Sequence, residues 1–226
     1  MTTSPSPLAG RSLTTPRGAA IAGILFALLY GAALVLIRIA IPPISPGAGG
    51  SLDTADSRTT LLALNIVPYA GIAFLWFIGV IRDRLGSLED RFFATVFLGS
   101  GLLFLALTFA GAALAGGLLS SVGQEPGAVV QSGVFLYGRE AVFYLINIYA
   151  VRMAGVFMIS LGTIWLQTGL MHRAWSFASY GLAVVLLVSI NFSLWVSLIF
   201  PGWVLAISAF YLLRFRGDPL PKAVSQ

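Results

Sequence analysis

The chain has 226 residues, 58% of them hydrophobic and only 9% charged, with a net charge of +5 and a mean hydropathy of +0.94. A soluble domain is about a quarter charged; so few polar residues cannot clothe a water-exposed surface, and the solvent for most of this chain is lipid. The lack of cysteine excludes disulfides, thiolate metal sites and catalytic thiols, and the single histidine, His172, cannot build a metal cluster by itself.

Residues 1–17 are rich in Ser, Thr and Pro, carry Arg11 and Arg17, and read as a disordered cytoplasmic tail. The apolar run Gly18–Ile37 is longer than the h-region of a secretory signal, so it reads as a retained first span. It cannot extend far past Ile41–Pro43, where consecutive prolines remove donors. Ile44–Arg58 is a Gly/Pro/Ser/Asp loop, and Thr59–Ile81 a second span interrupted at Asn65 and Pro68. A charged loop, Arg82–Arg91, precedes a third span from Phe92 to about Leu119. The loop Ser120–Gly133 then leads to a fourth helix from about Arg139 to Leu170, closed by Met171–Arg173.

Trp175–Leu213 is uncharged for 39 residues. As one helix it would extend roughly 58 Å, about twice the hydrocarbon core. Two spans with a turn at Asn191–Ser193 fit better, with Pro201 kinking the sixth helix; a turn at Phe200–Gly202 leaves too little chain to cross again. The fold expected is an all-α polytopic transmembrane bundle, with six spans in residues 18–216 and a cytoplasmic C-terminal tail over 217–226. Placing both termini in the cytoplasm puts Arg11, Arg17, Arg82, Arg84, Arg91, Arg173, Arg214, Arg216 and Lys222 on that side, nine of thirteen basic residues. Trp76, Trp165 and Trp175 then fall at cytoplasmic span ends, where interfacial tryptophans sit.

Two arginines lie against apolar runs of similar length. Nineteen uncharged residues separate Arg38 from the inner boundary, and eighteen, Met153–Leu170, separate Arg152 from it. About 20 residues cross the hydrocarbon, so both are expected at the same outer depth. Glu140, Tyr144 and Asn147 form a polar stripe on an extension of the fourth helix. Three readings follow: arginines that snorkel or pair with Asp53, Asp56, Glu125 or Glu140; a cationic outer pocket for an anion or lipid headgroup at Arg38 and Arg152; or a charge at the midplane.

Other constellations are sparser. In the third span, Ala110–Gly117 supplies small-x-x-x-small pairs such as Gly111/Ala115 and Ala112/Gly116, suited to packing within the chain or to homo-oligomers through Gly111, Ala115 and Gly116. Asn65, Asn147, Gln167 and Asn191 read as hydrogen-bonding glue between helices, and His172 as an interfacial loop residue. No paired carboxylates lie in a span, and there is no phosphate-cradling glycine loop or basic aromatic surface. No enzymatic activity, cofactor, metal or nucleic-acid partner is expected; membrane lipids are.

Two stretches resemble known families. Gly79–Gly86, "GVIRDRLG", resembles the G-x-x-x-D-R-x-G loop of major facilitator transporters, with Gly79, Asp83, Arg84 and Gly86 matching and Ser87 and Leu88 replacing the usual basic residues. The resemblance implies a cytoplasmic gating loop, though six spans make half of such a transporter. Pro68–Phe104 is similar to a family of uncharacterised bacterial multi-pass membrane proteins, which implies an inner-membrane location and no activity. The reading that follows is a structural or interaction component of the bacterial inner membrane, with a small transporter or an anion- or headgroup-binding protein as the alternative.

Overall fold

The computed structural model describes residues 16–40, 54–85, 91–124, 133–188 and 194–214, and every regular element among them is helical. The helices are α1 (Pro16–Ala40), α2 (Thr54–Leu85), α3 (Arg91–Gln124), α4 (Val134–Thr168), α5 (Arg173–Val188) and α6 (Ile199–Arg214). α4 is π-helical over Tyr144–Ala150, and α6 is entered through a 3-10 turn, Leu194–Leu198. Five helical segments are long and apolar enough to cross a membrane: α1 to α4, and α6 taken together with the turn before it as Trp195–Leu213; α5, Arg173–Val188, is a shorter apolar helix.

The helices overrun the expected loops. Thr54–Arg58 belongs to α2, as does Arg82–Leu85, and Arg91 belongs to α3. α3 continues through Ser120–Gln124, and α4 starts five residues before Arg139. Turn-prone residues mark boundaries in the sequence, but a long helix already nucleated extends through them for a few tenths of a kcal/mol each, up to about 1 for Gly. At its other end α4 stops at Gly169, whose φ of 66° is left-handed and whose N–H bonds the Trp165 carbonyl at 3.0 Å. The next helix starts at once: the His172 carbonyl accepts from the Trp175 N–H at 2.9 Å.

The uncharged run does divide into two helices. The Trp203 indole N–H donates to Ser179 Oγ at 2.9 Å, and the Trp175 and Phe210 rings lie 5.3 Å apart, so α5 and α6 are antiparallel. The proposed turn at Asn191–Ser193 lies outside the described residues. Pro201 is buried in the first turn of α6 rather than kinking its middle; there its missing N–H costs little.

Phenylalanines from five helices meet in the centre: Phe26 of α1, Phe74 of α2, Phe104 of α3, Phe157 of α4 and Phe200 of α6. Phe74 lies 4.6 Å from Phe26, 5.4 Å from Phe104, 5.3 Å from Phe157 and 5.6 Å from Phe200 by ring centroids. All five are buried. α1 packs along both α2 and α6, and α4 along α3 and α5. The chain therefore closes on itself, and the start of α1 and the end of α6 share one end of the bundle, called here the near end. Trp165 belongs to this core as well: it is buried 6.0 Å from Trp203, not at an interface as its sequence position suggested, whereas Trp76 is exposed.

Glycine sets the closest approaches. A Cβ on Gly23 would meet Ser208 Oγ and the Phe77 ring, both buried, while one on Gly31 meets nothing. Gly23→Val should destabilise the fold by about 1–3 kcal/mol through overpacking, and Gly31→Val by less than about 0.5 kcal/mol. Thermal melts of the purified variants in detergent check the contrast; equal melting temperatures would refute the packing of α6 on α1.

Candidate functional site

The far half of the bundle holds a π-helical turn, an amide that bridges helices and a half-buried arginine. α4 enters it through Val134–Phe143, none of whose residues is buried, and then becomes π-helical beside α3. Gly111 makes that approach possible: a Cβ there would lie 2.5 Å from Ile146 Cγ1. A π turn inside an α-helix carries a local mismatch in hydrogen bonding and recurs at functional sites. Here it presents Asn147, whose Oδ1 accepts from Ser197 Oγ at 3.1 Å, tying α4 to the turn that leads into α6. Of the expected interhelical amides Asn147 is the one that bridges helices in this way. Asn65 donates to Leu61 of its own helix at 2.9 Å, Gln167 is exposed, and Asn191 lies outside the described residues.

Arg152 follows the π segment by two residues and is half-buried. Its guanidinium has no hydrogen-bond or ion-pair partner among the described residues. Glu140 is exposed twelve residues earlier on the same helix, about 18 Å away along the axis; Asp53, Asp56 and Glu125 have no described side chains. Gly101 faces Phe157 and Gly111 faces Ile146, so Arg152 comes level with Ala106 of α3. A Cβ on Gly155 would lie 3.3 Å from the Ala183 carbonyl and 3.1 Å from Leu187 Cγ, which sets Arg152 beside the last turn of α5.

Arg38 lies at another level. Phe26 and Phe157 both pack on Phe74 and Phe200. From Phe26 to Arg38 is twelve residues, about 18 Å; from Phe157 to Arg152 is five, about 8 Å in the same direction. Along the bundle the two positions are about 10 Å apart, with Arg38 nearer the far end. The equal run lengths conceal part of this, because Gly169 and Leu170, the last two residues of the run counted from Arg152, lie in a turn and add no helical rise, about 3 Å of the difference. The side chain of Arg38 lies outside the described residues.

The remaining sequence candidates disperse. Gly79 is exposed with open space around it, and Asp83 is exposed on the same helix; Arg84 also belongs to α2, while Gly86 is outside the described residues. The matched segment is thus largely the end of a helix. Gly111 faces Leu145 and Ile146, and Gly116 faces Leu64, so their own chain occupies these faces of α3. His172 is exposed, and its Nδ1 accepts from the Ala174 N–H at 3.3 Å at the start of α5. No group of three His, Cys, Asp or Glu side chains suited to a metal occurs among the described residues.

Sequence reasoning missed a buried hydroxyl row on α5. Ser179 donates to the Trp175 carbonyl at 2.8 Å and accepts from Trp203, while Tyr180 bonds Thr163 of α4 at 2.8 Å. Ser176, three residues before Ser179, is fully buried, and its hydroxyl has no hydrogen-bond partner among the described residues. The spacing of Ser176, Ser179 and Ala183 on one face was the available signal. Set against protein-family profiles, curated proteins and solved structures, the chain matches none.

Removing Ser179 should orphan the Trp203 N–H, so Ser179→Ala is expected to cost about 0.5–2 kcal/mol. Ser176→Ala removes an unpartnered hydroxyl and should leave stability unchanged or raised. Parallel melts in detergent decide it, and a larger loss at position 176 than at 179 would contradict the hydrogen-bond assignment.

Proposed function

We propose that this chain is a multi-pass protein of the bacterial inner membrane, crossing six times with both termini cytoplasmic, and that it serves as a structural or interaction component there. One observation carries the preference for that role over transport: the five-phenylalanine cluster fills the bundle centre at mid-height, where a transported solute would need a polar path. Hydrophobic ring packing of this kind suits a scaffold. The orientation rests on the basic residues. The near end, where α1 starts and α6 finishes, also carries Arg82, Arg91 and Arg173, the arrangement favoured on the cytoplasmic side.

A second reading, binding of an anion or lipid headgroup, is favoured by Arg152, whose guanidinium has no partner among the described residues. A small transporter gated near Gly79, Asp83, Arg84 and Gly86 is less well supported, because the segment carrying three of these four residues is the helical end of α2.

A reporter enzyme active only in the periplasm should stay silent when fused after Gln226 and become active when inserted within residues 125–132. Activity at the C-terminus would eliminate the six-span arrangement. Asp83→Asn should leave abundance in the membrane unchanged. Discovery of a solute flux that this substitution abolishes, with expression intact, would replace the scaffold reading by transport.

A further inference from the structure

α4 is anchored unevenly about its π turn. On the near side, Val151–Thr168 has ten of its eighteen residues buried, among them Phe157 in the ring cluster and the glycines that meet α5. On the far side, Val134–Phe143 buries none of its ten. That far segment is held along α3, where a Cβ on Gly138 would lie 3.0 Å from Leu118 Cδ1. Between the two stretches runs the π turn, Tyr144–Ala150, with Ala150 its one buried residue. A firmly packed inner half and a lightly packed outer half thus meet at the least regular point of the helix.

A π turn bonds each N–H one residue further back than an α turn, so it holds one residue more than the α turn it replaces. If it closes to α-helix, that residue passes toward Val134. Everything beyond then turns by about 100° and rises about 1.5 Å, which brings Arg139 to the place of Gly138 opposite Leu118. Little resists the movement. No side chain of Val134–Phe143 leaves a buried site, and Gly111, facing the turn, has no side chain to obstruct it. Asn147 opposes it from the middle of the turn. Its Nδ2 donates to the Phe143 carbonyl at 3.4 Å, and its Oδ1 accepts from the buried Ser197 hydroxyl at 3.1 Å. Asn147 cannot keep Ser197 when its stretch of helix turns, so that bond belongs to the π form alone.

We propose that the π turn of α4 is a rotary joint latched by Asn147 to Ser197, and that releasing the latch closes it to α-helix and turns the outer segment Val134–Phe143 on α3. The rotation changes the surface this segment presents: Arg139 turns toward α3, and Gly138 takes the outward place of the exposed Tyr137. A group that hydrogen-bonds the Asn147 amide in one form and not in the other shifts the balance by that difference. The joint works the same way whichever end of the bundle faces outward.

The chain has no native cysteine, so engineered disulfides report the register cleanly. Two double variants of the purified full chain are oxidised in parallel in detergent: Leu118→Cys with Gly138→Cys, and Leu118→Cys with Arg139→Cys. The first pair should close faster. Adding Ser197→Ala, which removes only the latch hydroxyl, should lower the ratio of the two rates by about threefold, the effect of one interhelical hydrogen bond in a membrane protein. Asn147→Leu should act in the same direction. A ratio unchanged by both substitutions refutes the latch. Deleting Tyr149, exposed within the turn, removes the extra residue and leaves the outer segment where it was. The 118–138 pair should then still close first, and Ser197→Ala should no longer move the ratio. A ratio that still responds in the deletion variant, or a 118–139 pair that closes first there, overturns the π-to-α closure.

Discussion

The meeting of five phenylalanine rings is the constraint on which the bundle depends. Between helices in lipid the hydrophobic effect supplies little drive, so association relies on close packing and on ring and hydrogen-bond contacts. Phe74 touches rings from four other helices, which makes its position the hub of the tertiary structure. Each aromatic pair contributes about 0.5–1.5 kcal/mol beyond area burial. The cluster also sets the relative heights of the helices, and through them the level of every polar group discussed above.

α5 is the exception, since it brings no ring to that cluster. It is held instead against α4 by absent side chains: Gly155 and Gly162 approach the backbone carbonyls of Ala183 and Ser176 within 3.3 and 3.5 Å of a would-be Cβ. Hydroxyls supply the rest, through Thr163 with Tyr180 and Ser179 with Trp203. An attachment made by contact and hydrogen bonding tolerates a shorter helix than a ring-filled core would.

Much of the architecture was legible one residue at a time. Apolar run length and charge spacing located the helices because backbone groups in lipid must be satisfied within helices, and the 39-residue run from Trp175 was too long for one crossing. Facing was not legible. Gly111 and Gly117 belong to the same small-residue stretch, yet a Cβ on one strikes Ile146 and on the other meets nothing. Trp165 and Trp76 are alike in sequence setting and opposite in burial. The level of Arg152 was hidden because it follows from which rings meet, Phe157 and Phe26 both on Phe74 and Phe200, and run length carries no record of that. The Asn147–Ser197 contact joins positions fifty residues apart, with nothing local to announce it.

The contact of Gly23 with Ser208 joins the first helix to the last. About 185 residues must be made after Gly23 before its partner exists, and contacts so distant in sequence form late. Until then α1 has α2 along one side, while the face that Ser208 and Phe200 will cover is open. The helix that enters first is completed last. A chain arrested during synthesis is thus left with a particular, identifiable vacancy on α1, shaped for a helix that has not yet emerged.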